Sequence, residues 1–104
     1  MTKLRILPEV FQDTANAATW YDDRESGLGD DFLNCFRATY KLIAAHPFAY
    51  RIVYKNYRRV LLPPFPYAVY FRLQNEVAII TLVFHAARNP ATMRRLLRSR
   101  GKLK

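Results

Sequence analysis

One cysteine, two histidines and a single acid beyond residue 31 are the scarcities that bound this sequence of 104 residues. With Cys35 alone, no disulfide can close within the chain, and a zinc site built on cysteine is excluded. Cys35 falls on the apolar stripe of a predicted helix, where a small buried hydrophobe is the expectation rather than a nucleophile. No apolar run approaches the ~20 residues that span a bilayer, and the opening MTKLRILPEV has neither the apolar core nor the cleavage site of a signal peptide. The expectation is a cytoplasmic protein without a membrane partner. Low-complexity linkers and internal repeats are also missing, so a single domain over residues 1–104 is expected.

What is abundant is apolar surface and positive charge. Hydrophobic residues make up 51% and aromatics 14%, enough to offset the ordering entropy that keeps polar chains disordered. The net charge of +9 is unevenly spread. Residues 1–31 carry three Lys/Arg and seven acids, whereas residues 32–104 carry fourteen Lys/Arg and only Glu76. Such a field favours a polyanion or an acidic protein surface, without choosing between them.

Periodicity orders the chain as β-α-α-β-β-β-α. LRIL at 4–7 reads as a short strand. Pro8 and Glu9 suit the first turn of a helix whose stripe is Val10, Thr14, Ala17, Ala18 and Tyr21. Gly27 and Gly29 form a short joint. A second helix follows with Phe32, Cys35, Phe36, Thr39 and Ile43 on one stripe, and it closes at His46-Pro47, His46 marking the helix end. Two helices joined so tightly should make an antiparallel hairpin. Residues 50–54, 57–62, 67–73 and 77–84 alternate as strands, the last two joined by a short loop at Gln74, Asn75 and Glu76. Pro63, Pro64 and Pro66 cannot donate to a ladder and predict a corner. The almost wholly apolar last strand should be buried on both faces and central. Asn89 and Pro90 read as the N-cap and first residue of a terminal helix ending at Gly101. The architecture is α+β, a helical hairpin on one face of a mostly antiparallel sheet.

Three segments then carry a family likeness: GLGDDFLNCF (27–36), RRVLLPPFPYAVYFRL (58–73) and VAIITLVFHAARNP (77–90). In this order they resemble the ParE/RelE superfamily of type II toxins, from Leu4 to about Met93. The Phe-Pro-Tyr strand and the His-x-x-Arg-x-Pro end of the next one resemble the ParE side. The resemblance implies a small basic toxin of the plasmid-stabilization kind, neutralised by a cognate antitoxin whose extended and helical segment wraps its surface. It further implies either of two targets. ParE-like members inhibit DNA gyrase by protein contact, whereas RelE-like members cleave mRNA on the ribosome without a metal or other cofactor.

RNA cleavage through the 2′-hydroxyl needs a base, an acid and cations for the phosphate. Cations are available at Arg72, Arg59 and Arg88, the last where RNA-cleaving relatives carry an arginine. Proton-transfer groups are scarce. No tyrosine follows Tyr70, Ala68 stands where those relatives often place an arginine, and Glu76 sits in a predicted turn. His85 remains, and ordering the loop at a strand end is its simpler role. The leading expectation is therefore gyrase inhibition with no catalytic site. The alternative is a ribosome-dependent mRNA endonuclease using Arg72, His85 and Arg88. Candidate partner-binding residues are Arg58, Arg59, Arg72, Arg88, Arg94, Arg95 and Arg98. Arg58 and Arg59 alternate across a strand. The last three belong to the basic tail of about 94–104, which docks through Leu96 and Leu97 and otherwise reads as an exposed helix end. The aromatics interleaved through 58–73 fall at strand period and are read as core.

Overall fold

In a computed structural model that describes residues 2–102, the chain forms a five-stranded sheet between a helical hairpin and a C-terminal helix. Strand β1 spans Lys3–Ile6, helices α1 and α2 span Pro8–Arg24 and Leu28–Ala45, and a 3-10 turn covers Pro47–Ala49. Strands β2 to β5 span Ile52–Tyr54, Tyr57–Leu62, Phe65–Gln74 and Val77–His85, and α3 spans Pro90–Lys102. The sheet order is β1-β5-β4-β3-β2; β1 pairs parallel to β5 and the remaining neighbours pair antiparallel. The α+β expectation holds.

Helix α1 buries the five side chains its periodicity marks, Val10, Thr14, Ala17, Ala18 and Tyr21. Helix α2 starts after Gly27, whose φ of 91° lies in the left-handed region that glycine enters without strain. Asp22 Oδ1 accepts the Gly29 amide at 2.7 Å, so a side chain of α1 caps the start of α2. At Gly29 itself the helices touch. A β-carbon there would run into the Ala18 carbonyl oxygen and the Asp22 carboxyl. The hairpin closes over Phe32, Phe36, Ile43, Leu62, Phe65, Val69, Phe71, Ile80 and Val83, with Phe32 ringed by Tyr21, Phe65 and Tyr67 at centroid distances of 5.7, 5.2 and 5.2 Å. Burial of this order, about 25 cal/mol per Å² of apolar area, is the main stabilising term in the molecule.

Three expectations change. The apolar strand β5 is buried on both faces, but the sheet order makes β4 the middle strand. Cys35 is partly exposed, its Sγ 3.5 Å from the Pro63 carbonyl, because it sits at the margin of the α2 stripe. Helix α3 runs through Gly101 to Lys102 rather than stopping there. Gly101 instead permits a close approach, since a β-carbon at that residue would lie 2.6 Å from the Tyr57 hydroxyl. The corner at Pro63 and Pro64 turns β3 into β4, and β4 begins at Phe65, taking in Pro66.

The second face of the sheet is thinner. Tyr57, Ala68, Tyr70 and Leu82 pack there beneath Leu97, the single fully buried residue of α3, with Met93 and Leu96 at the margin. Asn89 caps α3, its Oδ1 accepting the Ala91 amide at 2.9 Å.

Helix α3 is also fastened at its far end. Strand β1 stops at Ile6, so beyond Ile80 the β5 edge has lost its neighbour. A bidentate pair fills that edge. Arg100 donates to both Asp13 carboxylate oxygens at 2.7 and 2.9 Å and to the Thr81 carbonyl at 3.0 Å, while Asp13 accepts the Val83 amide at 3.0 Å. Thr81 is the extra residue of a bulge between the Phe71–Ile80 and Tyr70–Leu82 pairs, and its carbonyl turns outward to meet the guanidinium. The carboxylate bond raises the Arg100 pKa above its ordinary value against the cost of burial.

Candidate functional site

The candidate residues fall into three places rather than one. Arg58 lies on the hairpin side, donates to the Tyr50 carbonyl at 2.7 Å and stacks 5.3 Å from the Phe48 ring centroid, so it ties β3 to the chain entering β2. Its neighbour Arg59 points to the opposite side, where it is exposed beside Tyr70.

The second place is a cleft of about 360 Å³ at the end of β5, lined by Trp20, Tyr21, Pro66, Tyr67, His85, Ala87 and Arg88. His85 packs edge-on to Tyr67 at 5.3 Å. Its Nδ1 accepts the Ala87 amide at 3.1 Å, which fixes the ring and leaves Nε2 to carry the proton of the neutral form. A base needs a free lone pair facing its substrate. Here the lone pair is engaged by the backbone of the turn. Arg88 donates its backbone N–H to the His85 carbonyl and holds its guanidinium 6.0 Å from the Phe84 ring centroid.

Arg72 does not reach this cleft. It pairs with Ile79 while His85 pairs with Tyr67, so the two positions lie five steps apart along β4. At ~3.3 Å per residue this is roughly 17 Å. They also face opposite ways, Arg72 toward the α3 side and His85 toward α1. The three residues of the endonuclease alternative are therefore not assembled into one site. Ala68 is fully buried under α3, where no solvent would accommodate a cation.

The third place is a groove of about 300 Å³ between the end of α3 and the β2–β3 turn, lined by Tyr54, Lys55, Asn56, Tyr57, Arg72, Leu97, Arg98, Gly101 and Lys102. Arg72 donates to Gln74 Oε1 at 2.6 Å along its rim. Arg98 donates to the Tyr54 hydroxyl at 3.1 Å, and this bond is the main cause holding the Tyr54 phenol below the usual tyrosine range, helped by the charges of Lys55, Arg98 and Arg94 and opposed by slight desolvation. Arg95 and Arg98 line a second depression beside it with Ser99 and Lys102, of about 380 Å³. Arg94, Arg98 and Lys102 recur every fourth residue, and that row was readable from the sequence. Lys55 and Tyr54 were not, because only the fold of the β2–β3 turn carries them to α3. Among the described residues no group of three or more His, Cys, Asp or Glu is placed to hold a metal ion.

Comparison with known proteins agrees with this fold. The chain is 34% identical over 89 residues to Toxin ParE2 of Mycobacterium tuberculosis, from strains CDC 1551 / Oshkosh and ATCC 25618 / H37Rv alike, covering 85% of each chain. The chain belongs to the ParE toxin family. A solved chain of the chromosomal ParDE TA system from P. aeruginosa superposes with a TM-score of 0.62 at 12% identity, covering 82% of this chain and 96% of that one. No family model matches. Within a ParE fold, the cleft at His85 and the groove at Arg98 occupy opposite faces of one sheet. No helix among the described residues is long and apolar enough to cross a membrane.

Proposed function

We propose that this ParE-family chain is the toxin of a type II toxin–antitoxin pair, that it acts by binding DNA gyrase, and that a cognate antitoxin neutralises it. The observation supporting this reading is the separation of Arg72 from His85 and Arg88, by roughly 17 Å and a change of sheet face, which speaks against the endonuclease alternative and favours action by protein contact. The engaged lone pair of His85 supports it. Exposed Phe11, Leu42, Phe48, Ile52 and Leu61 offer apolar anchors for partner segments, and the cationic surface suits an antitoxin rich in acids.

The test pairs two reactions. Purified chain added to gyrase and plasmid should block supercoiling or trap cleaved DNA, and an equimolar amount of antitoxin should reverse this. The same chain in a translation extract should produce no new mRNA ends. Codon-positioned mRNA cleavage that disappears in His85→Ala or Arg88→Ala would overturn the proposal in favour of the endonuclease.

A further inference from the structure

The groove at the end of α3 has a feature that inhibition by protein contact does not use. Four cations line it, Lys55, Arg72, Arg98 and Lys102, and no aspartate or glutamate is among the described residues that do. The acids of this chain sit mostly in residues 1–31, on the other side of the sheet or at its edge, and Glu76 lies in the β4–β5 turn outside the groove. Nothing within the groove neutralises it.

We propose that this groove binds the phosphate backbone of duplex DNA. Arg94, Arg98 and Lys102 form an i, i+4 row, and the eight steps from 94 to 102 rise about 12 Å along the helix. Over that length one DNA strand presents about three to four phosphates, at ~3.4 Å per charge. Lys55 and Arg72 extend the row onto the sheet. An acidic peptide is the weaker match, because a protein interface takes its energy from an apolar anchor in a pocket. The groove's one large aliphatic side chain, Leu97, is fully buried, and the exposed apolar residues Phe11, Trp20, Leu42, Phe48, Ile52 and Leu61 lie outside the groove. Single-stranded RNA is also weaker, because it is held by bases stacked on free aromatic faces. Tyr57 is buried with its hydroxyl 3.4 Å from the Leu97 carbonyl, and the half-buried Tyr54 has its hydroxyl held by Arg98 and Lys55 Nζ 5.7 Å from its ring centroid, so the groove offers at most one aromatic face where a stacked single strand uses several. What remains is a set of point charges that read backbone and not sequence.

This binding goes beyond the gyrase reading and is measured without gyrase, so either can fail alone. The full chain is titrated into a fluorescein-labelled 20-base-pair duplex of mixed sequence between 50 and 200 mM KCl, with anisotropy as readout. Four phosphate contacts give a slope of log K against log[KCl] of about −3.6. Lys55→Gln and Lys102→Gln, both exposed and distant from the core, should each weaken binding about five- to tenfold at 100 mM KCl and reduce the slope by about 0.9. Lys41→Gln, an exposed cation on α2, should change neither. Circular dichroism confirms that each variant folds. No duplex binding at 50 mM KCl, an equal loss in Lys41→Gln, or tighter binding of a 20-nucleotide single-stranded RNA would overturn the proposal.

Discussion

The two faces of the sheet are built on different terms. On the hairpin side α1 and α2 bury a broad aromatic and aliphatic core and bring most of the chain's acids with them. On the α3 side one helix covers a small cluster with a single fully buried residue, carries only positive charges, and relies on a bidentate ion pair at its end. The difference teaches that stability and charge have been placed apart. A surface crowded with arginines repels itself, and the apolar core that offsets this lies on the far side of the same five strands.

Truncation of one core residue on each face breaks the comparison most directly. Phe32→Ala removes a fully buried ring packed on three other aromatics and should cost about 3–5 kcal/mol. Leu97→Ala removes an equally buried side chain whose surroundings can relax toward solvent, and should cost about 2–3 kcal/mol. Urea unfolding of both measures the gap. Equal losses would mean that α3 is as much a part of the core as the hairpin.

Next in size is the fastening of α3. Asp13→Ala leaves the Arg100 guanidinium without its carboxylate and the Val83 amide without an acceptor, and should destabilise the chain by about 2–3 kcal/mol. Both side chains of the pair are about 15% exposed, so solvent takes up part of the loss. Hydrogen exchange should show the amides of α3 opening before those of α1 and α2. Uniform loss of protection would show that the ion pair serves the whole fold and does not fasten one face.

A smaller effect probes the close contacts at each face. Gly29→Ala forces a methyl against the backbone carbonyl of Ala18 and should cost about 1–3 kcal/mol. Gly101→Ala meets the hydroxyl end of Tyr57, which sits on the thin face near the helix terminus, and its cost should fall at or below the lower bound of that range. Thermal unfolding of the pair ranks them; a larger loss for Gly101→Ala would reverse the proposed order of rigidity.

How much of this was legible in the sequence follows the range of the interactions. The stripes Val10 to Tyr21 and Phe32 to Ile43, the strands 57–62 and 77–84 and the cap at Asn89 are local patterns, and they appear in the structure nearly as read. The place of β5 in the sheet, the meeting of Asp13 with Arg100 and the approach of Lys55 to Lys102 join residues far apart in sequence, for which periodicity carries no signal. Gly101 shows the limit of a local rule. A glycine near a helix end reads as a stop, but here it is spent on a tertiary contact. The candidate arginines are legible by residue type, yet only pairing register shows that Arg72 and His85 belong to different faces.

The mildest test uses Cys35 as a reporter of how closed the hairpin side is. Burial pushes its thiol above the ordinary value of 9.0, with a hydrogen bond to Thr39 partly offsetting that rise. The folded chain therefore holds its proton more tightly than the unfolded one. Its contribution to stability is intact below pH 9.0 and fades as pH rises above that value. Near pH 8 the thiolate fraction is smaller in the folded chain, so a thiol-specific disulfide reagent should react severalfold more slowly than in urea. The ratio should narrow as pH climbs past the folded pKa. Phe32→Ala, by loosening the core beneath α2, should raise the folded rate, whereas Leu97→Ala on the other face should leave it unchanged. Equal acceleration by both would mean that the two faces open together, and the contrast between them would then describe packing alone.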